Sequence, residues 1–342
     1  MRGVRILSES GLRQPAYTGW SAPIAPCGKK DTANHMVETA SKAAAAPTGL
    51  SFATKRRIGG WALVLPAFLL ILGLGIYPLI SSLVLSFQRW DLQSQEHPFV
   101  GLQNYRDALL DVRVWNAFAN TGLLVVGAVA LEFLLGLGLA LMFVGDFKGK
   151  RIAMPILMLP VMVVPVVVGL TWTMLWDNQF GPINQVLSLV AGHDVNIIWL
   201  GHRDTALFAM TVTDVWQWTP FMFLILLAAL SSVNPELYEA ASLDGAGWWE
   251  ALRDVSLPGI SRVIAVVILF RALDAFKIFD LVYMFTQGGP GTSTETISWY
   301  IYQLGFKFFR LGYASAVSYI SVILLTIIAT LYVARFLRSA DA

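Results

Sequence analysis

Six stretches of predominantly apolar residues, each long enough to cross a bilayer as a helix, punctuate the chain at 60–85, 119–144, 154–176, 207–231, 263–285 and 314–336. Hydrocarbon offers the backbone no water, so a segment of this length must close its own N–H and C=O hydrogen bonds, and an α-helix does so within one segment. The pattern predicts an all-α integral membrane protein with six transmembrane helices. Composition agrees, because only 13% of residues are charged and mean hydropathy is +0.63, whereas charged residues make up about 25% of a soluble domain. An even number of crossings puts both termini on one side.

Lysine and arginine choose that side. Nine of them precede the first run, from Arg2 to Arg57; Lys148, Lys150 and Arg151 join runs two and three, and Arg335 and Arg338 lie at the C-terminal end. The opposite connections hold only Arg89, Arg106, Arg113, Arg203, Lys307 and Arg310. Both termini are therefore expected in the cytoplasm, and the connection between runs four and five with them. A net charge of +2 gives no case for nucleic acid. A lone Cys27 forms no internal disulfide, and no cysteine–histidine spacing suggests a metal. Residues 1–57, rich in Ala, Ser, Thr, Gly and Pro, read as a cytoplasmic disordered tail before a membrane domain at 58–342. Met36 is a second candidate start beside Met1.

Between runs four and five lies a polar island with helix punctuation. Asn234-Pro235-Glu236 supplies a cap, a first-turn proline and an acid at the positive end of the helix dipole. Gly245 can supply a left-handed stop. The island predicts a short helix, a turn, a second short helix around Trp248–Leu252, and Leu257-Pro258 entering the fifth run. Trp248 and Trp249 read first as an anchor at the headgroups.

Glu239-Ala240-Ala241, Gly245 three residues on, and Val255-Ser256-Leu257-Pro258 after nine more resemble the EAA loop of the membrane subunits of bacterial ABC importers, with Val255 in place of the usual Ile. Asp214-Val215-Trp216-Gln217-Trp218-Thr219-Pro220-Phe221, the segment Phe270 to Asp280, and Thr286-Gln287-Gly288-Gly289-Pro290-Gly291 are similar to the carbohydrate-uptake branch, as in the first membrane subunit of maltose, trehalose and polyol importers. The resemblance covers roughly 58–340. It implies a bacterial or archaeal inner-membrane permease with a second permease subunit, two ATPase subunits that carry ATP and magnesium, and an extracytoplasmic solute-binding protein. This chain itself would hold no cofactor. Glu239, Ala240, Ala241, Asp244, Gly245, Leu257 and Pro258 would couple it to the ATPases.

Charges inside apolar runs are costly unless paired or facing water. Arg271, Asp274, Lys277 and Asp280 recur every three residues with alternating sign, which suits either a polar stripe facing a polyhydroxylated solute or an internal salt-bridge ladder. Glu132 in run two, ahead of Gly136 and Gly138, is a candidate partner for Arg271 or Lys277, with a proton relay as its rival role. Trp216 and Trp218, beside Asp214 and the kinking Pro220, offer faces on which a sugar could stack or simple packing surfaces. Pro160 and Pro165 read as kinks in run three, and Thr294 to Phe309 as an aromatic helix at the outer interface. No G-x4-G-K-[ST] segment occurs, and the four histidines form no catalytic grouping. The chain is thus expected not to be an enzyme, its energy coming from another subunit. A proton-coupled secondary transporter and a membrane anchor without a solute site remain as alternatives, and the identity of the sugar or polyol stays open.

Overall fold

The computed structural model describes residues 64–91 and 96–336. The expected tail at 1–57, the choice of start and the opening of the first run lie outside these residues. The backbone divides between Leu69 and Leu70; among the described residues the first unit contributes only the opening turns of one helix, and the second all the rest.

Twelve helical segments follow in order among the described residues. They are α1 (Val64–Ser86), α2 (Gln103–Leu110), α3 (Val112–Val144), α4 (Lys150–Met162), α5 (Pro165–Leu175), α6 (Pro182–Ala191), α7 (Arg203–Ser231) and α8 (Pro235–Leu243). Next comes α9, which starts at Trp248–Ala251, passes through a π turn at Leu252–Ser256 and runs on as Leu257–Ala275. The last three are α10 (Asp280–Phe285), α11 (Ile297–Tyr302, continued by a π turn at Gln303–Lys307) and α12 (Leu311–Phe336). The described residues contain only isolated β-bridges, at Gln88–Phe99 and Asp91–Arg310.

Four helices, α1, α3, α7 and α12, are long and apolar enough to cross a membrane unaided. The third and fifth apolar runs are broken instead. α4 and α5 meet at 94°, because Pro165 forces Val164 into extended backbone (ψ 133°). The carbonyl of Val163 freed there accepts from Gln217 Nε2 at 3.1 Å, which satisfies a polar group that lipid would leave bare. The fifth run ends its helix at Ala275, where the amides of Lys277 and Ile278 tighten to three-residue spacing at 3.1 and 3.0 Å. Lys277 lies in the unwound link, its side chain 70% exposed.

The core is built where α3, α7 and α9 meet. A side chain at Gly136 would bring a Cβ within 2.7 Å of Met222 Cβ, so the missing side chain lets α3 lie directly on α7. Gly138, the other glycine of that stretch, has open space. Met222, Phe223 and Leu226 of α7 pack there with Ile260 and Val267 of α9. A second cluster joins α2, α3, α11 and α12 through Ala108, Ala117, Tyr300, Leu304 and Val317. Large apolar side chains such as Leu74, Val126 and Leu331 stay exposed, as suits helices whose solvent is lipid.

Candidate functional site

Three helices deliver opposite charges to one point inside the apolar body. Arg271 of α9 donates from Nε to Glu132 Oε2 at 2.8 Å and from Nη2 to Glu132 Oε1 at 2.9 Å, a two-pronged grip on α3. Nη2 also donates to Asp214 of α7, and Nη1 lies 3.5 Å from Asp274 Oδ2 one turn along α9. The guanidinium packs 5.0 Å from the ring centre of Trp218. Arg271 and Glu132 are 1% and 0% exposed, so both have left water entirely. Desolvating such ions costs several kcal/mol each, and the forked geometry with three acids is what compensates it.

One wall of this hub faces a cleft of about 360 Å³. Asp214, Gln217 and Trp218 come from α7, Arg271 and Asp274 from the end of α9, Lys277 and Phe279 from the unwound link, and Asp280 from the start of α10. The bend between α4 and α5 presents Pro165 to the same space. Broken helices thus bring irregular backbone and polar side chains together where a cavity receives them, the circumstance in which a membrane interior tolerates both.

A second polar brace sits at the other end of α3. Arg113 donates from Nε and Nη2 to both oxygens of Glu295, each at 2.8 Å, and to Gln303 Oε1 at 2.7 Å. Asp111 caps α3 by accepting from the amide of Arg113 and takes the hydroxyls of Tyr300 and Tyr313 at 3.0 and 2.9 Å. Burial, reinforced by Asp111, pushes the Tyr300 hydroxyl up to about 12, so it stays a neutral donor.

The polar island folds as a helical hairpin. Asn234 accepts from the amide of Glu236 at 3.1 Å, Pro235 opens α8, and Gly245 takes φ +82°. The amide of Ala246 then closes on the Ala241 carbonyl at 3.0 Å. No residue of α8 is buried; Glu239, Ala240, Asp244 and Gly245 are exposed and Ala241 half-buried. Leu243 is 88% exposed, Trp248 68% and Trp249 62%. Tyr238 and Ser256 pair through their hydroxyls at 3.0 Å, tying α8 to the base of α9.

Several sequence expectations change in detail. The second hairpin helix is not separate: it continues through the π turn into the fifth run. That turn closes with the amide of Leu257 on the Leu252 carbonyl, just before Pro258, which has no amide to give. The charge ladder holds from Arg271 through Asp274 to Lys277, 3.4 Å from Asp274, and stops there because the helix does. Asp280 makes no ion pair among the described residues. Trp216 and Trp218 diverge, as residues two apart on a helix must. Trp216 meets Trp172 at 5.5 Å and lines a separate apolar cleft with Leu135 and Pro160. Glu132 grips Arg271 from behind and does not line the charged cleft. The aromatic segment near 294–309 begins its helix only at Ile297, with Trp299 and Tyr300 buried and Phe306 exposed. Gln217 of the cleft and the Arg113–Glu295 brace were not singled out from sequence. Gln217 carried a signal as a polar residue in an apolar run, whereas Arg113 and Glu295 lie outside the apolar runs, where charges are ordinary.

Fold and site define a polytopic α-helical membrane protein with a charged hub beside an intramembrane cleft and an exposed helical hairpin at the far end of the same helix. The chain belongs to the family of binding-protein-dependent transport system inner membrane components, whose model matches residues 132–340. It is 34% identical over 284 residues to the trehalose/maltose transport system permease protein MalF of Thermococcus litoralis, covering 82% of this chain and 94% of that one. The trehalose transport system permease protein SugA of Mycobacterium tuberculosis is 35% identical over 290 residues, 84% of this chain and 91% of its own. Among solved structures, a bacterial alginate ABC transporter in complex with an alginate pentasaccharide-bound periplasmic protein superposes with a TM-score of 0.70 at 25% identity, over 82% of this chain and 95% of that one.

Proposed function

We propose that the chain is one half of the translocation pathway of an ATP-driven importer for a sugar or polyol. The observation that carries this reading is the single helix α9, which starts in the exposed hairpin and ends in the charged cleft. From Trp248 to Arg271 it spans roughly 35 Å at about 1.5 Å per residue, enough to reach across a bilayer core. Both relatives named for trehalose or maltose transport support the solute class. Six crossings follow if the α4–α5 pair serves as the third and α9 with α10 as the fifth, and both termini then lie in the cytoplasm with the hairpin.

In this reading α8 inserts into an ATPase subunit. Ala240 and Ala241 permit close approach, Glu239 meets a basic residue of the ATPase, and Asp244 and Gly245 set the angle of the turn. Leu257 and Pro258 sit just past the π turn, where motion of the hairpin enters the membrane. The exposed Leu243, Trp248 and Trp249 suit a protein partner as well as a headgroup layer. A second permease subunit completes the pore, a pair of ATPases supplies ATP and magnesium chemistry, and an extracytoplasmic binding protein delivers the solute. Trp218, Gln217, Asp274, Lys277 and Asp280 line the path. Glu132, Asp214 and Arg271 hold its wall in place.

The test reconstitutes the chain with its partner permease, ATPases and binding protein in liposomes. Uptake of labelled sugar is expected only with ATP inside and with loaded binding protein outside. Uptake that follows an imposed proton gradient without ATP would establish instead the secondary transporter.

A further inference from the structure

The charge balance of the cleft goes further, resting on the reading of that cleft as the solute path. All three guanidinium nitrogens of Arg271 are engaged by carboxylates: Nε by Glu132, Nη2 by Glu132 and Asp214, and Nη1 by Asp274. Lys277 is held at 3.4 Å by Asp274. Asp280 adds a carboxylate without an ion pair among the described residues. Counting Glu132 behind the wall, four acids stand against two cations, and the balance stays negative with one of those acids protonated. Gln217, whose amide nitrogen donates to the Val163 carbonyl at 3.1 Å, adds no charge to the lining. The wall therefore carries carboxylates in excess, and its one exposed cation, Lys277, stands beside Asp274.

Hydroxyl and ammonium groups donate into such a wall, whereas a carboxylate or sulfonate needs donors and positive charge. We infer that the cleft selects uncharged or amino-bearing polyhydroxylated solutes and rejects anionic sugars, with Asp280 as the determinant of that rejection. One uncompensated like charge at about 5 Å, at an effective dielectric near 20, corresponds to binding weaker by roughly a few hundredfold.

Saturation-transfer NMR on the purified permease–ATPase complex, without binding protein, reads weak binding to the cleft directly. The probes are maltose, trehalose, sorbitol, glucosamine and glucuronate, each with the wild-type complex and with Trp218→Ala, Asp280→Asn and Asp280→Lys. Neutral and amino probes should give signals that Trp218→Ala removes; glucuronate should give none in the wild type and gain signal in Asp280→Lys, with Asp280→Asn between. Glucuronate binding to the wild type within tenfold of the neutral probes, or no gain in Asp280→Lys, would overturn the charge inference and leave the solute path standing. No Trp218-dependent signal from any probe would overturn the solute path itself.

Discussion

Arg271 binds α3, α7 and its own helix together through Glu132, Asp214 and Asp274. Removing it strands two carboxylates in a dry interior, a situation that typically costs about 3–5 kcal/mol. Arg271→Met should therefore lower the thermal unfolding midpoint of the detergent-purified protein markedly. Glu132→Gln, which keeps a hydrogen-bond acceptor for the guanidinium, should cost about 1.5–3 kcal/mol. An unchanged midpoint for Arg271→Met would show that the hub holds nothing. Much of it was legible in the sequence, since a charge in an apolar run demands a partner and Glu132 was the acid available. That Asp214 would join it was not legible, because which faces of α3, α7 and α9 converge depends on packing 57 and 139 residues apart in the chain. The same limit hid the pairing of Arg113 with Glu295 across 182 residues.

At the level of elements, local chemistry was the reliable guide. Asn234, Pro235 and Gly245 marked the bounds of α8 because caps, first-turn prolines and left-handed glycines act within a few residues. Hydropathy marked apolar runs but not their breaks: the bend at Val163–Val164 lies inside unbroken apolar sequence, and the end of α9 at Ala275 lies within a run that the charges of Arg271 to Asp280 did not divide. Pro160 and Pro165 carried the first signal. At the second, the only local signal was the charge series from Arg271 to Asp280. Gly245 gives this scale its prediction. At φ +82° a β-branched residue is strained by about 1–3 kcal/mol, and the position has open space around it, so Gly245→Val should disturb the hairpin alone. The ATPase should bind the purified variant more weakly in surface plasmon resonance while its unfolding midpoint stays near wild type. Equal ATPase affinity would remove Gly245 from the coupling role.

For the whole molecule, the account requires the hairpin and the loop before α11 to lie on opposite sides of the membrane. Cys27 is the sole cysteine of the chain, so a Cys27→Ser background accepts single reporters cleanly. Ser242→Cys should react with an impermeant maleimide only from the cytoplasmic side, and Thr292→Cys only from outside; labelling of both from one side would refute the topology. The central claim is that the hairpin passes the work of ATP hydrolysis through α9 to the cleft. ATP-driven sugar uptake by liposomes carrying the complete transporter, compared between wild type and Glu239→Lys, tests it most directly. The account predicts that the variant assembles and inserts normally yet loses uptake, with ATP hydrolysis no longer stimulated by loaded binding protein. Wild-type uptake by Glu239→Lys would contradict it.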